Sequence, residues 1–237
     1  MKKTTCLTFV FLAIGSVLIS NAQEIMLEKS VDNNMFKRKS ELPLNQSNFL
    51  VTELDFYAGG ANSAVYEPLS THNFSIGTKQ MHRIFTEHYL GMSFNYQNQS
   101  FGIAQNSSKT FPTTGIHDKE KIVLDKFNVD LFGQFTLIKK DDKVILALKL
   151  GIFSGILINS RLVYSDTLQN SATFGKYQKV KIKKLAYIEH LNYGIVAGIV
   201  YKKLSLLARY GLNSVYKSSF SFPQPSRMAV GVELALF

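Results

Sequence analysis

From Leu50 to the C-terminus, apolar residues recur at every second position, the spacing that puts them on one face of a β-strand. Leu50, Thr52, Leu54, Phe56 and Ala58 alternate with Val51, Glu53, Asp55 and Tyr57 before Gly59-Gly60-Ala61-Asn62-Ser63 ends the run. A weaker second segment sets Phe74 and Ile76 against Asn73, Ser75 and Gly77. The third is clear: Leu90, Met92, Phe94 and Tyr96 against Gly91, Ser93, Asn95 and Gln97. A polar loop to about residue 120 follows, and then Phe127, Val129, Leu131, Phe135 and Leu137 alternate with Asn128, Asp130, Phe132 and Gln134. Lys139-Lys140-Asp141-Asp142 reads as a tight turn. The fifth segment puts Val144, Leu146, Leu148, Leu150 and Ile152 opposite Lys149, Gly151 and Gly155. A strongly basic loop is predicted over about residues 160 to 184. The sixth sets Leu191, Tyr193, Ile195, Ala197 and Ile199 against His190, Asn192, Gly194 and Gly198, and the seventh Leu204, Leu206, Ala208, Tyr210 and Leu212 against Ser205, Arg209, Gly211 and Asn213. The eighth sets Met228, Val230, Val232, Leu234 and Leu236 against Gly231, Glu233 and Ala235.

Eight strands of this length, with long connections after the odd-numbered ones and short turns after the even-numbered ones, predict an all-β fold. The form expected is an eight-stranded antiparallel up-and-down transmembrane β-barrel, whose turns are short on one side of the membrane and whose loops are long on the other. A tilted strand of roughly 9 to 11 residues crosses a bilayer. Parity alone leaves open which face looks outward, and a soluble lipocalin-like barrel with the apolar face inward is the rival. The polar face decides for lipid. It is crowded with glycine (Gly91, Gly151, Gly155, Gly194, Gly198, Gly211, Gly231), which relieves crowding in a narrow interior. It also carries charges of both signs, Glu53, Asp55, Asp130, Lys149, Arg209 and Glu233, predicted to pair as a polar network plugging the lumen. The apolar face is almost free of charge, as a lipid-facing band must be at mid-bilayer depth.

Upstream of the strands, Lys2 and Lys3 precede an apolar run from Cys6 to Ile19 that ends in Ser20-Asn21-Ala22. That run is too short for a membrane-spanning helix and has the form of a cleaved signal peptide, residues 1–22, with the mature chain starting at Gln23. Residues 23–48 read as an irregular periplasmic lead-in and 49–237 as the barrel. Cys6, the one cysteine, would leave with the signal, which excludes disulfides and thiol chemistry from the mature chain. Lys2 and Lys3 would leave too, taking 27 basic residues to 25 against 17 acidic ones and the formal charge from +10 to +8. Export argues against nucleic acid as the partner of this charge, and anionic lipid headgroups fit it better.

The basic stretch Lys176, Lys179, Lys181, Lys183 and Lys184, with Val180 and Ile182 interleaved, is the most suggestive local chemistry. It reads as a contact for lipopolysaccharide phosphates, or else as lysines that blunt an exposed strand edge. The parity also shifts between residues 182 and 191, which predicts a bulge or break at the rim. His72, His82, His88, His117 and His190 are scattered, with no spacing that marks a metal site or a nucleophile–base pair. No catalytic residue, cofactor or metal is expected, and an enzyme acting on lipid A or peptides and a narrow passive pore are the alternatives.

The strand Tyr89-Leu90-Gly91-Met92-Ser93-Phe94-Asn95-Tyr96, the signal ending in Asn21-Ala22-Gln23 and the terminal strand ending in Phe237 resemble the small outer-membrane β-barrels, the OmpX-like and OmpA-transmembrane-like proteins, over about residues 49 to 237. The resemblance implies an outer-membrane protein inserted by the barrel-assembly machinery through its terminal aromatic; the even strand count puts both termini in the periplasm, and a monomer is expected. Phe237 departs from the family in parity, since Leu236 shares the lipid-facing side. A structural or surface-interaction role follows as the expected function, with outer loops contacting lipopolysaccharide or other envelope or host molecules.

Overall fold

A computed structural model describes residues 46–57, 65–85, 88–140, 143–167 and 177–236. The expected signal peptide, residues 23–45 of the expected lead-in, Lys176 and Phe237 lie outside the described residues. Among the described residues nine strands form: β1 (Gln46–Tyr57), β2 (Tyr66–Phe85), β3 (His88–Ile103), β4 (Lys119–Lys140), β5 (Lys143–Thr167), β6 (Tyr177–Lys183), β7 (Leu191–Tyr201), β8 (Leu204–Gly211) and β9 (Met228–Ala235). Every pairing is antiparallel. β1 to β5, β7, β8 and β9 close into a ring of eight, because β1 pairs with both β2 and β9 and β4 pairs with β5.

The ring corrects the sequence reading in four places, one of them the polar loop expected up to about residue 120, whose two ends are strand: β3 runs on to Ile103 and β4 starts at Lys119. The basic segment 160–184 is not a loop: β5 continues to Thr167, and Tyr177–Lys183 forms β6. β5 pairs with β7 through Leu146–Ile156 and with β6 through Arg161–Thr167, so β6 and β7 share one place in the ring, interrupted at residues 184–190. That interruption falls where the parity shifts. Polar alternation hid the extension of β5, because Asn159, Ser160 and Arg161 pair in the ladder as well as leucines do. β1 begins at Gln46, inside the expected lead-in, and β2, the weakest segment by pattern, is 20 residues long. It runs between β1 and β3 from His72 to His82, so ladder bonds on both sides hold a strand whose own residues are poor strand formers.

Side-chain direction follows the alternation. Leu150, Ile152, Ile195 and Leu206 are 45%, 57%, 49% and 54% exposed on the outside of the ring, while Lys149, Glu233 and Arg209 are 0%, 2% and 7% exposed inside it. The outward band is apolar on β1 to β5 and β7 to β9, from Leu54 and Phe56 round to Val230, Val232 and Leu234. Inside, glycine makes room for rings. A Cβ on Gly151 would lie 2.3 Å from the Leu131 carbonyl oxygen and 2.8 Å from Phe132 Cα, and one on Gly91 would strike the Phe132 ring. Only glycine lets neighbouring strands hold Phe132 between them.

Candidate functional site

The inside of the ring is filled at three levels. At the short-turn end, Glu233 on β9 accepts from Lys79 Nζ on β2 at 2.7 Å and from Lys149 Nζ on β5 at 2.9 Å, and Ser205 donates to it at 3.2 Å. Both ammonium groups face the Phe132 ring, Lys149 at 4.5 Å from its centre and Lys79 at 5.3 Å. The ring's negative face therefore adds to the carboxylate in holding them. Next to this group, Arg209 on β8 makes a two-pronged contact with Glu53 on β1, Nε to Oε1 at 2.6 Å and Nη2 to Oε2 at 2.8 Å. It reaches across the ring to Asp130 on β4 at 2.8 and 3.3 Å. Asp55 Oδ2 is 4.0 Å from Arg209 Nε and accepts from Asn73 Nδ2 at 2.7 Å. The guanidinium lies 5.4 Å from the centre of Phe153, whose ring occupies the space a Cβ on Gly194 would fill.

Glu53, Asp55, Asp130, Lys149, Arg209 and Glu233 thus all point into the ring, in two adjoining clusters. Lys79 joins them and was missed by pattern, since it stands on the strand the sequence marked least. Charges this deep persist only with partners, and each cation here has at least one carboxylate.

The middle level is polar. Asn128 Nδ2 donates to Gln97 at 2.5 Å, and Gln99 bonds to the Tyr57 hydroxyl. Lys126 is buried in the same layer, beside a small cavity that Gln97, Gln99, Asn128, Phe153 and Asn192 help to line. At the long-loop end the inside turns apolar. Tyr66, Phe101, Ile103, Ile122, Leu124 and Leu162 from the strands pack with Phe111, Leu185, Ile188 and Tyr216 from the loops. The Tyr66 and Tyr216 hydroxyls are 2.9 Å apart, and Tyr66 donates to the Pro223 carbonyl at 2.6 Å. Tyr187, packed edge-on to Phe111 and Phe222, has its hydroxyl pushed up to about 12 by burial and by the Glu120 carboxylate.

One histidine sits in a suggestive constellation. His117 Nδ1 is 2.9 Å from Asp166, its Nε2 is 3.4 Å from Thr113 Oγ1, and its ring stacks on Tyr164 at 4.1 Å. In outline this is a nucleophile–base–acid series, but the hydroxyl is committed elsewhere. Thr113 donates to Glu120 at 3.1 Å and accepts from Lys109 at 3.3 Å, and Lys109 and Glu120 are themselves an ion pair. The proton a base would remove already points to a carboxylate, so the arrangement ties the β3–β4 loop to β5 rather than activating Thr113. Asp118 adds to the tie: it accepts from the Thr167 amide and hydroxyl, both at 2.6 Å, and these donations hold its carboxyl below the usual carboxylate value. His72, His82, His88 and His190 stand apart from this group, and among the described residues no three His, Cys, Asp or Glu side chains are grouped to hold a metal ion.

The lysines of the basic stretch occupy the outer wall. Lys179, Lys181 and Lys183 are exposed on the outward face of β6, while Val180 and Ile182 alternate to its other face. Lys184 turns out of the strand with a φ of 59°, and its amide donates to the Ser160 carbonyl at 2.9 Å, which is where the chain leaves β5. Compared with protein-family models and with curated proteins, the chain matches none.

Proposed function

We propose that the chain is a β-barrel of a Gram-negative outer membrane, exported by a cleaved signal peptide and inserted by the barrel-assembly machinery. Its interior is filled, and its role is structural or one of surface interaction through the long-loop end. The observation that carries this reading is the inversion of the ring: a continuous apolar band outside, paired charges inside. A soluble barrel has the opposite arrangement. The band also has a suitable height. On β7, Tyr193 and Tyr201 are exposed and flank Ile195, Ala197 and Ile199. Their eight residue steps span about 26 Å along the strand and, at a tilt of about 40°, about 20 Å across a membrane, near the height of a lipid-facing band with aromatic residues at its edges. Connections support the orientation, since two residues separate β2 from β3, β4 from β5 and β7 from β8, while the connections from β3 to β4, from β6 to β7 and from β8 to β9 carry the apolar cap. With this orientation the long loops face outward, toward lipopolysaccharide and other surface molecules.

The test is gel mobility of the detergent-refolded chain, with and without boiling. A folded barrel resists the detergent and moves differently from the boiled chain. A single mobility in both states, together with a mature chain that stays monomeric in buffer without detergent, would reject the proposal.

A further inference from the structure

Three adjacent strands bring together a group of cations that the sequence scatters over 65 residues. Ladder register places Val123 of β4 beside Arg161 of β5, and Arg161 beside Lys183 of β6. One row further from the apolar band, Lys121 stands beside Val163 and Val163 beside Lys181; in the next, Lys119 stands beside Ser165 and Ser165 beside Lys179. Ile122 and Leu124 point into the apolar cap, so Lys119, Lys121 and Val123 point the other way, out of the ring. All five lysines are exposed, and Val123 and Val163 between them are buried, giving the patch an apolar floor. Strands lie about 5 Å apart and rows about 7 Å, so the cations cover an area of roughly 10 by 14 Å, with side-chain reach beyond it.

The acidic groups nearby are already engaged. Asp125 bonds to Arg161 at 2.9 Å, Asp118 to Thr167, Glu67 to Ser70 at 2.9 Å, and Glu120 to Lys109. Beside the lysines lies a groove of about 490 Å³, bordered by Lys119, Lys121 and Lys179, by Val163 and Ser165, and by the engaged carboxylates Glu67, Asp118 and Glu120.

Height selects the occupant. Tyr96 and Phe127, paired across β3 and β4, are the exposed aromatic residues at this edge of the band. Val123 is four residues beyond Phe127, about 13 Å along the strand and about 10 Å in height at barrel tilt. In the membrane reading, on which this inference rests, the first row of cations then stands at the level of the lipid headgroups, on the wall and not on the loop tips. We infer that the outward face of β4, β5 and β6 binds the phosphates of an outer-leaflet phosphoglycolipid, with Lys119, Lys121, Arg161, Lys179, Lys181 and Lys183 as its ligands. A soluble polyanion would meet the loops first. A lipid whose chains lie against the apolar band presents its phosphates to this wall.

The experiment titrates the refolded full chain in neutral detergent with fluorescent bisphosphorylated lipid A and with the same lipid stripped of its phosphates. Binding should be at least about tenfold tighter to the phosphorylated form, as several lysines each add to attraction toward anionic lipid. The variant K121Q/K179Q/K181Q/K183Q should lose that preference while keeping the heat-dependent mobility, and K202Q/K203Q, at the opposite end of the ring, should retain it. Equal affinity for both lipids, or a preference unchanged in the fourfold variant, would overturn the inference and leave the barrel reading standing. Full displacement of the lipid by millimolar inorganic phosphate, or tighter binding of a phosphate-free acidic polysaccharide, would overturn it in favour of a soluble anion. A chain with one mobility in both states that also stays monomeric in buffer without detergent would remove both readings.

Discussion

Arg209 shows what one side chain does in this molecule. It spans the ring between β8 and two carboxylates on β1 and β4, so no other residue can take its place without leaving a charge behind. Arg209→Met should cost about 3–5 kcal/mol, because Glu53 and Asp130 would remain buried without a partner. The triple variant R209M/E53Q/D130N should lose less than the single one. Urea unfolding of the refolded protein measures both, and a single variant as stable as the parent would refute the network's role. Asp118 acts at the surface and through pH. Its carboxyl is held below its ordinary value by Thr167, so the tie it provides is complete above the unfolded-state value, near 3.8, and is lost as pH falls through the lower folded-state value. Cleavage of the β3–β4 loop by pepsin should therefore stay slow at pH 4.5 and rise at pH 2.5. In Asp118→Asn it should be fast at both; equal rates for parent and variant at pH 4.5 would exclude the tie.

Among the elements, β4 and β5 depend most on close approach. Gly151 sits against the Leu131 carbonyl and the Phe132 backbone, both on β4. Gly151→Val should separate the two strands locally and prevent closure, reducing the heat-resistant fraction after refolding to a small part of the parent's. A normal yield would show that β4 and β5 can shift to accept a side chain. β6 is the element least visible in the sequence. Its lysines read as a solvated loop, because a strand with charge on one face and only Val180 and Ile182 on the other carries little apolar signal. The extension of β5 escaped because Asn159, Ser160 and Arg161 interrupt its apolar alternation, and the length of β2 because Thr78, Gln80 and His82 break the alternation on its outward side. Lys79 was lost with β2. By contrast, Met228–Leu234 on β9 was legible to within a few residues, since each apolar side chain there has only one face to go to, whereas the same alternation on β3 marked Leu90–Tyr96 and missed its continuation to Ile103.

At the scale of the whole molecule, three layers fill the ring: paired charges, amides, and an apolar cap of strand and loop side chains. Such an interior holds no continuous water column. Reconstituted in planar bilayers, the chain should give no discrete conductance steps, and stable steps of uniform size would contradict the filled interior. The cap also joins described loops far apart in sequence, Phe111, Ile188 and Tyr216 packing together with Phe101.

The period of two by itself determined that the chain is all-β, which residues share a face, and where the short turns fall, because strand geometry turns sequence parity directly into direction. Glycine and mixed charge on one face also announced a narrow interior. Tertiary structure alone decided the rest. Which carboxylate meets which cation depends on shear around the ring, and Arg209 reaches β4 across 79 positions of sequence. The apolar cap and the cationic wall depend on register among strands that local pattern cannot align. Polar residues pair in a ladder for backbone reasons, so a segment such as Tyr177–Lys183 becomes a strand only because β5 already offers it an edge.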